Sequence, residues 1–260
     1  MSRRTLKELH HERLHQGAGL ARCAVIDLGC VRNTVDSQGI MGVLERKGHT
    51  LASLDKADVV IVNTCGFIED AKKESIDTIL GLLDLKKRGR ISKVIVAGCL
   101  AQRYARDLVK EFRDVDAFVG VQSLRPTALQ AAPYLTPRHY AYVKICESCF
   151  NACSFCAIPG IKGKFASRTM ETVIKDVERL RERGIREINI VGQDVTAYGL
   201  DIYRRKALAD LLRRIAGAAG PEVWVRLLYM HPAHITDELL DVIASRPNVC
   251  KYLDVPLQHV

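Results

Sequence analysis

The sequence predicts an α/β protein in two parts, an N-terminal parallel-sheet α/β domain followed by an incomplete (βα) partial barrel. Three observations predict it. Short apolar runs alternate with stretches of helical length along nearly the whole chain, the pattern of parallel strands joined by helical crossovers. Pro-Tyr-Leu-Thr-Pro at Pro133–Pro137 interrupts that alternation and reads as a linker. Cysteines recur just after apolar runs, at the strand ends where such sheets gather functional groups.

In the first part, residues 21–28 read as a buried strand ended by Gly29-Cys30, and a helix is expected over 34–47 with Asn33 as its cap and Gly48 as its stop. Residues 58–62 form the next strand, running into Asn63-Thr64-Cys65-Gly66. A helix over 69–87 follows, then a strand over 93–97 leading to Gly98-Cys99 and a helix over 102–112. A strand at 117–119 and a helix at 124–131 complete this part. Residues 1–19 are basic, His-rich and polar and read as a disordered tail, which gives domains of 20–132 and 138–260.

The second part opens with an alternating strand over 140–145 and a cysteine-rich loop closed by Ser167-Arg168. Thr169 caps a helix over 171–183 that Gly184 ends. A second strand, 187–191, leads into Gly-Gln-Asp-Val-Thr-Ala-Tyr-Gly at 192–199. A helix at 206–216, a strand at 222–228, a helix at 236–244 and a strand at 249–255 follow, four βα-type units in all. Gln193, Asp194, Arg226, His231, Gln258 and His259 are expected at or beyond C-terminal strand ends, at the mouth where such barrels place active sites. Any one of them could instead satisfy loop backbone.

Composition narrows the class. With 260 residues and 48% hydrophobic content the chain can build a sizeable core, and no apolar run approaches the about 18 residues a membrane span requires. Residues 1–16 lack the apolar centre of a secretory signal. Nine cysteines without such a signal argue for a reducing, cytoplasmic setting and for metal or redox use rather than disulfides. The net charge, 39 − 30 = +9, favours a polyanionic partner such as RNA or a ribosome.

The cysteines carry the chemistry. Cys149-x3-Cys153-x2-Cys156 follows a strand, and three thiolates so spaced can hold three corners of a cubane iron–sulfur cluster while leaving the fourth iron open. Including Cys146 gives a four-thiolate zinc or ferredoxin-like parsing instead. Cys30, Cys65 and Cys99 each follow an apolar strand and a small residue. In a parallel sheet their strand ends share one edge, so the three can converge as a second three-thiolate site. A single free cysteine in that slot is usually a small buried hydrophobe, but three in the same slot are not so explained. The near-equal spacing also fits a helical repeat, which the strand-like segments around each cysteine argue against.

The Cys149 loop, with Phe155 before its last cysteine, resembles the radical S-adenosylmethionine (SAM) enzymes. Leu28-Gly-Cys-Val-Arg-Asn33 with Asp36-Ser37, Asn63-Thr-Cys-Gly-Phe67, Gly98-Cys-Leu-Ala-Gln-Arg103 and the trailing Ser167-Arg168 extend the resemblance to the methylthiotransferase family from residue 22 to 260. The resemblance implies two [4Fe-4S] clusters, a radical-generating one on Cys149, Cys153 and Cys156 and an auxiliary one on Cys30, Cys65 and Cys99. It implies SAM as cofactor, bound by the first cluster's open iron; Gln193, Asp194, Arg226, Gln258 and His259, at the expected strand ends, are the cofactor-binding candidates. The first cluster would generate the radical that abstracts hydrogen from the substrate; the second would hold the sulfur that is methylated and delivered. An electron-donating reductase and a sulfur donor are the implied partners.

Residues 192–199 and Tyr252-Leu-Asp-Val-Pro-Leu-Gln-His259 look more like the branch that modifies the β-carbon of an aspartate in a small-subunit ribosomal protein than the branch that modifies a tRNA adenosine. The ribosomal protein, or the ribosomal subunit carrying it, is thus the expected substrate. A zinc-stabilised RNA-binding protein would explain the charge and the Cys146–Cys156 run. It leaves Cys30, Cys65 and Cys99 unexplained, and 6% aromatic content is poor in stacking platforms. Members of the family continue through further barrel strands to a small β-barrel TRAM domain. This chain reads as C-terminally truncated, with an exposed strand edge and little turnover expected.

Overall fold

The computed structural model describes residues 20–124, 135–151 and 153–256, which divide into two compact units, 20–124 and 135–256. The expected tail, residues 125–131 of the expected helix and residues 133–134 of the expected linker lie outside the described residues, as do Gln258 and His259.

The first unit is a five-stranded parallel sheet. Its strands are β1 (Arg22–Asp27), β2 (Thr50–Leu51), β3 (Val59–Thr64), β4 (Lys93–Gly98) and β5 (Ala117–Gly120), in the order β2-β1-β3-β4-β5. Alternation along each strand sends side chains to opposite faces. Val60, Val62, Val94 and Val96 pack with Ile79 and Leu82 of helix α2 (Glu69–Lys87), while Ile61 and Ala97 pack with Ile40 and Leu44 of helix α1 (Val31–Arg46). Both faces are thus covered, which is why the strands read as nearly continuous apolar runs.

Two local expectations are corrected here. Helix α1 begins at Val31, with Cys30 in extended backbone (φ −93°, ψ 166°) as the residue before it. Asn33 is therefore inside the first turn and does not cap; its side chain turns inward to backbone carbonyls. The helix expected over 102–112 is two short ones, α3 (Cys99–Arg103) and α4 (Ala105–Glu111), interrupted where Tyr104 leaves helical geometry at φ −116°. The two-residue β2 has too little sequence to show a period of two.

In the second unit β6 (Tyr140–Lys144), β9 (Glu187–Val191) and β10 (Trp224–Leu227) form a parallel sheet in the order β10-β9-β6. A two-stranded antiparallel pair, β7 (Cys146–Glu147) with β8 (Ala166–Ser167), brackets the cysteine loop, and inside it lies the short helix α5 (Ile158–Lys162). Three longer helices follow: α6 (Met170–Glu182), α7 (Leu208–Ala219) and α8 (Asp237–Ser245). Val143, Ile145, Ile188, Ile190, Val225 and Leu227 pack against them. By alternation, Tyr142, Lys144, Glu187, Asn189 and Arg226 occupy the opposite face.

Thr169 caps α6 as expected, accepting from Thr172 N–H; Thr236, expected as the first residue of its helix, instead caps α8, accepting from Leu239 N–H. The fourth strand expected over 249–255 does not form. Only Val249 bridges to Val225, with Cys250 N–H donating to the Val225 carbonyl. Beyond it the chain leaves the ladder, because Asp254 is drawn to the bend after β10: Tyr229 N–H donates to its carboxylate at 2.7 Å and Met230 N–H to its carbonyl at 2.9 Å.

Candidate metal centres

The register of the first sheet lines up its C-terminal ends. Asp27 pairs with Asn63 and Asn63 with Ala97, so the turns carrying Cys30, Cys65 and Cys99 leave one edge side by side. Glycine lets those turns touch. A Cβ at Gly29 (φ +96°) would lie 2.7 Å from the Cβ of Cys65, and one at Gly66 would lie 2.7 Å from the Leu100 Cα. Asn33, buried, joins all three turns. Its Nδ2 donates to Leu28 O at 2.8 Å and Thr64 O at 3.2 Å, and its Oδ1 lies 3.9 Å from Cys99 Sγ. Asn63 supports it, donating to Asn33 O and to Ser37 Oγ.

Cys30 stands at the N-terminal end of the 16-residue α1, where the helix dipole favours a thiolate. Burial pushes its thiol up, but the Arg32 guanidinium and hydrogen bonds from Arg32 and Asn33 outweigh it and leave the thiol below its ordinary value. Cys99 is buried and Cys65 half-buried. The donor set is three free thiols with no carboxylate or imidazole among them, which suits an iron–sulfur cluster.

The second centre is the loop between β7 and β8. Cys149 and Cys156 are half-buried and Cys153 is exposed. A cavity of about 570 Å³ opens beside Cys149, lined also by Phe150, Asn151, Phe165 and Asp201. The shoulders of the loop are pinned by charge. Glu147 lies between Lys144 Nζ at 2.5 Å and Lys162 Nζ at 3.1 Å, all three side chains being at most 13% exposed. Burial raises the Glu147 carboxyl, but the two ammonium groups more than offset this and hold it well below its usual range. Ser148 Oγ also donates to Gly163 O at 2.5 Å. Arg168 anchors the exit of the loop, donating to Lys144 O at 3.0 Å and pairing with buried Asp176 at 2.6 Å.

Cys146 is excluded from this loop by direction. It is 1% exposed, packs in the apolar core and places its Sγ 3.7 Å from Asp194 O. Burial, reinforced by the nearby Asp194 and Glu147 carboxylates, drives its thiol up, so it stays protonated. This geometry supports the three-cysteine parsing over the four-thiolate one. Among the described residues no three His, Cys, Asp or Glu side chains close round a single ion. A cubane instead spreads its thiolates over separate iron corners.

The remaining candidates separate. Asp194 is 3% exposed and its carboxylate is fully engaged: Oδ1 accepts from Thr196 N–H and Thr196 Oγ1–H, while Oδ2 meets Asn151 Nδ2 at 3.1 Å and His234 Nδ1 at 2.8 Å. Gln193 beside it is half-buried. Arg226 is not at the mouth; it lies within β10 and turns to Glu187, the first residue of β9, at 2.8 Å, with the Tyr252 ring 5.3 Å away. His231 stacks on His234 with ring centroids 4.6 Å apart. Asn151, His234, Glu147 and the two buried lysines were not singled out by sequence. Lys144 in an apolar strand was the available signal, since a buried ammonium requires a counter-charge.

Comparison with known proteins agrees with this two-part reading. Residues 22–120 match the family model described as Uncharacterized protein family UPF0004, and residues 143–260 match the Radical SAM superfamily. Proteins named ribosomal protein uS12 methylthiotransferase RimO are similar to the chain: that of Solibacter usitatus is 47% identical over 90% of this chain and 55% of its own length. The corresponding figures are 44%, 90% and 57% for Cytophaga hutchinsonii, and 40%, 92% and 60% for Clostridioides difficile. The chain thus spans somewhat more than half the length of these relatives. In fold it is similar to the radical SAM methyltransferase TsrM of Kitasatospora setae, with TM-score 0.56 at 14% identity over 87% of this chain and 57% of that one. The cobalamin-dependent radical enzyme OxsB gives TM-score 0.53 at 9% identity over 91% and 42%. The chain thus carries a UPF0004 domain at residues 22–120 followed by a Radical SAM domain at residues 143–260, and across both it is similar to proteins named ribosomal protein uS12 methylthiotransferase RimO.

Proposed function

We propose that this chain carries the catalytic domains of a methylthiotransferase that modifies the β-carbon of an aspartate in the small-subunit ribosomal protein uS12. The observation that carries the reading is the pairing of two all-thiol sites on one chain, together with 40–47% identity to proteins bearing that name. C–H activation and sulfur delivery are different tasks, and each site suits one of them.

Cys149, Cys153 and Cys156 would hold a [4Fe-4S] cluster with one open iron, and Cys30, Cys65 and Cys99 a second. When bound, the first supplies electrons for reductive cleavage of SAM and the second a place for sulfur. The chain's own part is to hold those thiols. Glu147, Lys144 and Lys162 fix the loop shoulders, Asn33 ties the three turns of the sheet edge together, and the cavity beside Cys149 gives a ligand access. Gln193 is proposed as a cofactor contact at the second strand's end. Asp194 shapes the turn that presents it, since a cofactor ammonium could reach its carboxylate only by displacing a present partner. Arg226 would act from the face of the sheet opposite the helices, and Gln258 and His259 are carried as candidates. A reductase and a sulfur donor complete the cycle. Among the described residues no helix is long and apolar enough to cross a membrane.

Anaerobic reconstitution tests this reading. Roughly eight irons and eight sulfides per chain are expected, and mass analysis of uS12 from a deletion strain should show an unmodified aspartate. About one zinc and no sulfide would overturn it.

A further inference from the structure

A chain of hydrogen bonds leads from the loop after β10 to a sulfur of the cluster loop. His234 Nδ1 meets Asp194 Oδ2 at 2.8 Å, and the same oxygen receives Asn151 Nδ2 at 3.1 Å. Asn151 in turn faces Cys149 Sγ twice, through its backbone N–H at 3.4 Å and its side-chain Nδ2 at 3.6 Å. The carboxylate is itself fixed, because Oδ1 is occupied by both donors of Thr196. An amide on a loop would ordinarily sample several rotamers; this one is held with its donor between a carboxylate and a thiol. The carboxylate cannot accept from the amide oxygen, so the Asp194 contact also fixes which end of the amide faces Cys149.

We propose that Asn151 is a positioning and tuning residue for the cluster on Cys149, Cys153 and Cys156: it donates to the Cys149 sulfur, and Asp194 and His234 lock its donor there. The inference rests on the proposed function. Hydrogen bonds to ligating sulfur withdraw electron density and raise the potential of an iron–sulfur cluster. The affected step is the one-electron reduction of [4Fe-4S]²⁺ to [4Fe-4S]⁺, the electron coming from a low-potential one-electron donor. Asn151 would make that reduction easier, and His234, which touches neither the loop nor its sulfurs in these contacts, would act at a distance through Asp194.

The test is a redox titration of the reconstituted full chain, following by electron paramagnetic resonance the reduced-cluster signal that changes when SAM is added. Asn151→Ala is expected to move the midpoint of that signal to lower potential by about 59 mV, a tenfold change in the one-electron equilibrium, with iron content unchanged. His234→Ala should move it in the same direction, and His234→Asn, whose amide can replace Nδ1, should restore it. A midpoint unmoved in both Asn151→Ala and His234→Ala overturns the inference and leaves the functional reading standing. Absence of any SAM-responsive cluster signal in the unsubstituted chain overturns both.

Discussion

The side-chain amide of Asn33 donates to the carbonyl of Thr64 at 3.2 Å, so a residue in the first turn of the first helix grips the backbone directly before Cys65. Together with its bond to Leu28 O this makes one side chain a strut between separate crossovers.

Asn33→Ala should therefore weaken both the fold and the site. Leaving buried carbonyls unpaired costs about 1–3 kcal/mol, which a urea titration of the apo chain would register as a lower midpoint. With the two clusters proposed above, reconstituted iron should fall towards half, the loss confined to the thiols of Cys30, Cys65 and Cys99. Full iron loading in the variant would count against the strut.

Glu147→Gln should destabilise strongly, by about 3–5 kcal/mol, because it removes the carboxylate that stands between two buried ammonium groups. Adding Lys162→Met should recover much of the loss. Thermal unfolding of the single and double variants checks this; equal melting temperatures would show that the ion triad contributes little.

Cys146→Ala should leave iron and sulfide content unchanged, because the Cys146 thiol points into the core. Cys149→Ala should remove about four irons. Equal losses in the two variants would restore the four-thiolate parsing.

The exposed Arg22–Asp58 pair gives a pH dependence whose sign follows from Asp58. Hydrogen bonds from the Arg22 side chain and backbone lower its carboxyl to about 2, below the roughly 3.9 of an unfolded chain. Its contribution is present above about pH 4 and disappears as pH falls through 2. Between those limits the unsubstituted chain should lose urea resistance more steeply than Asp58→Asn. Parallel curves would refute the assignment.

Much of this architecture was legible in the sequence because it is written in periodicity. Val59–Thr64 and Lys93–Gly98 are buried on both faces and read as apolar runs, and α2 matched its expected ends. The Thr169 cap was equally readable, since a hydroxyl before a helix has a local purpose. What was hidden is tertiary. Asn33 resembles a cap in sequence, and only the arrival of Thr64 beside it reveals what its amide does. Arg226 was expected at the mouth from its position near a strand end, but Glu187 on the neighbouring strand draws it back. The segment over 249–255 has the composition of a strand, and its departure from the ladder follows from Asp254 pairing with the bend at Tyr229 and Met230.

The two thiol sets differ in how far apart they lie along the chain, and this orders their assembly. Cys149, Cys153 and Cys156 share one loop, so they can meet before any sheet exists. Cys30, Cys65 and Cys99 belong to three successive crossovers and meet only when β1, β3 and β4 are in register. Their closure thus carries the loop entropy and slow kinetics of non-local pairing. A nascent or heat-stressed chain would offer iron a local loop first and the sheet edge last. Iron supplied during synthesis and iron supplied after folding would then reach different thiols, the Cys149 loop being available before the sheet edge that gathers Cys30, Cys65 and Cys99.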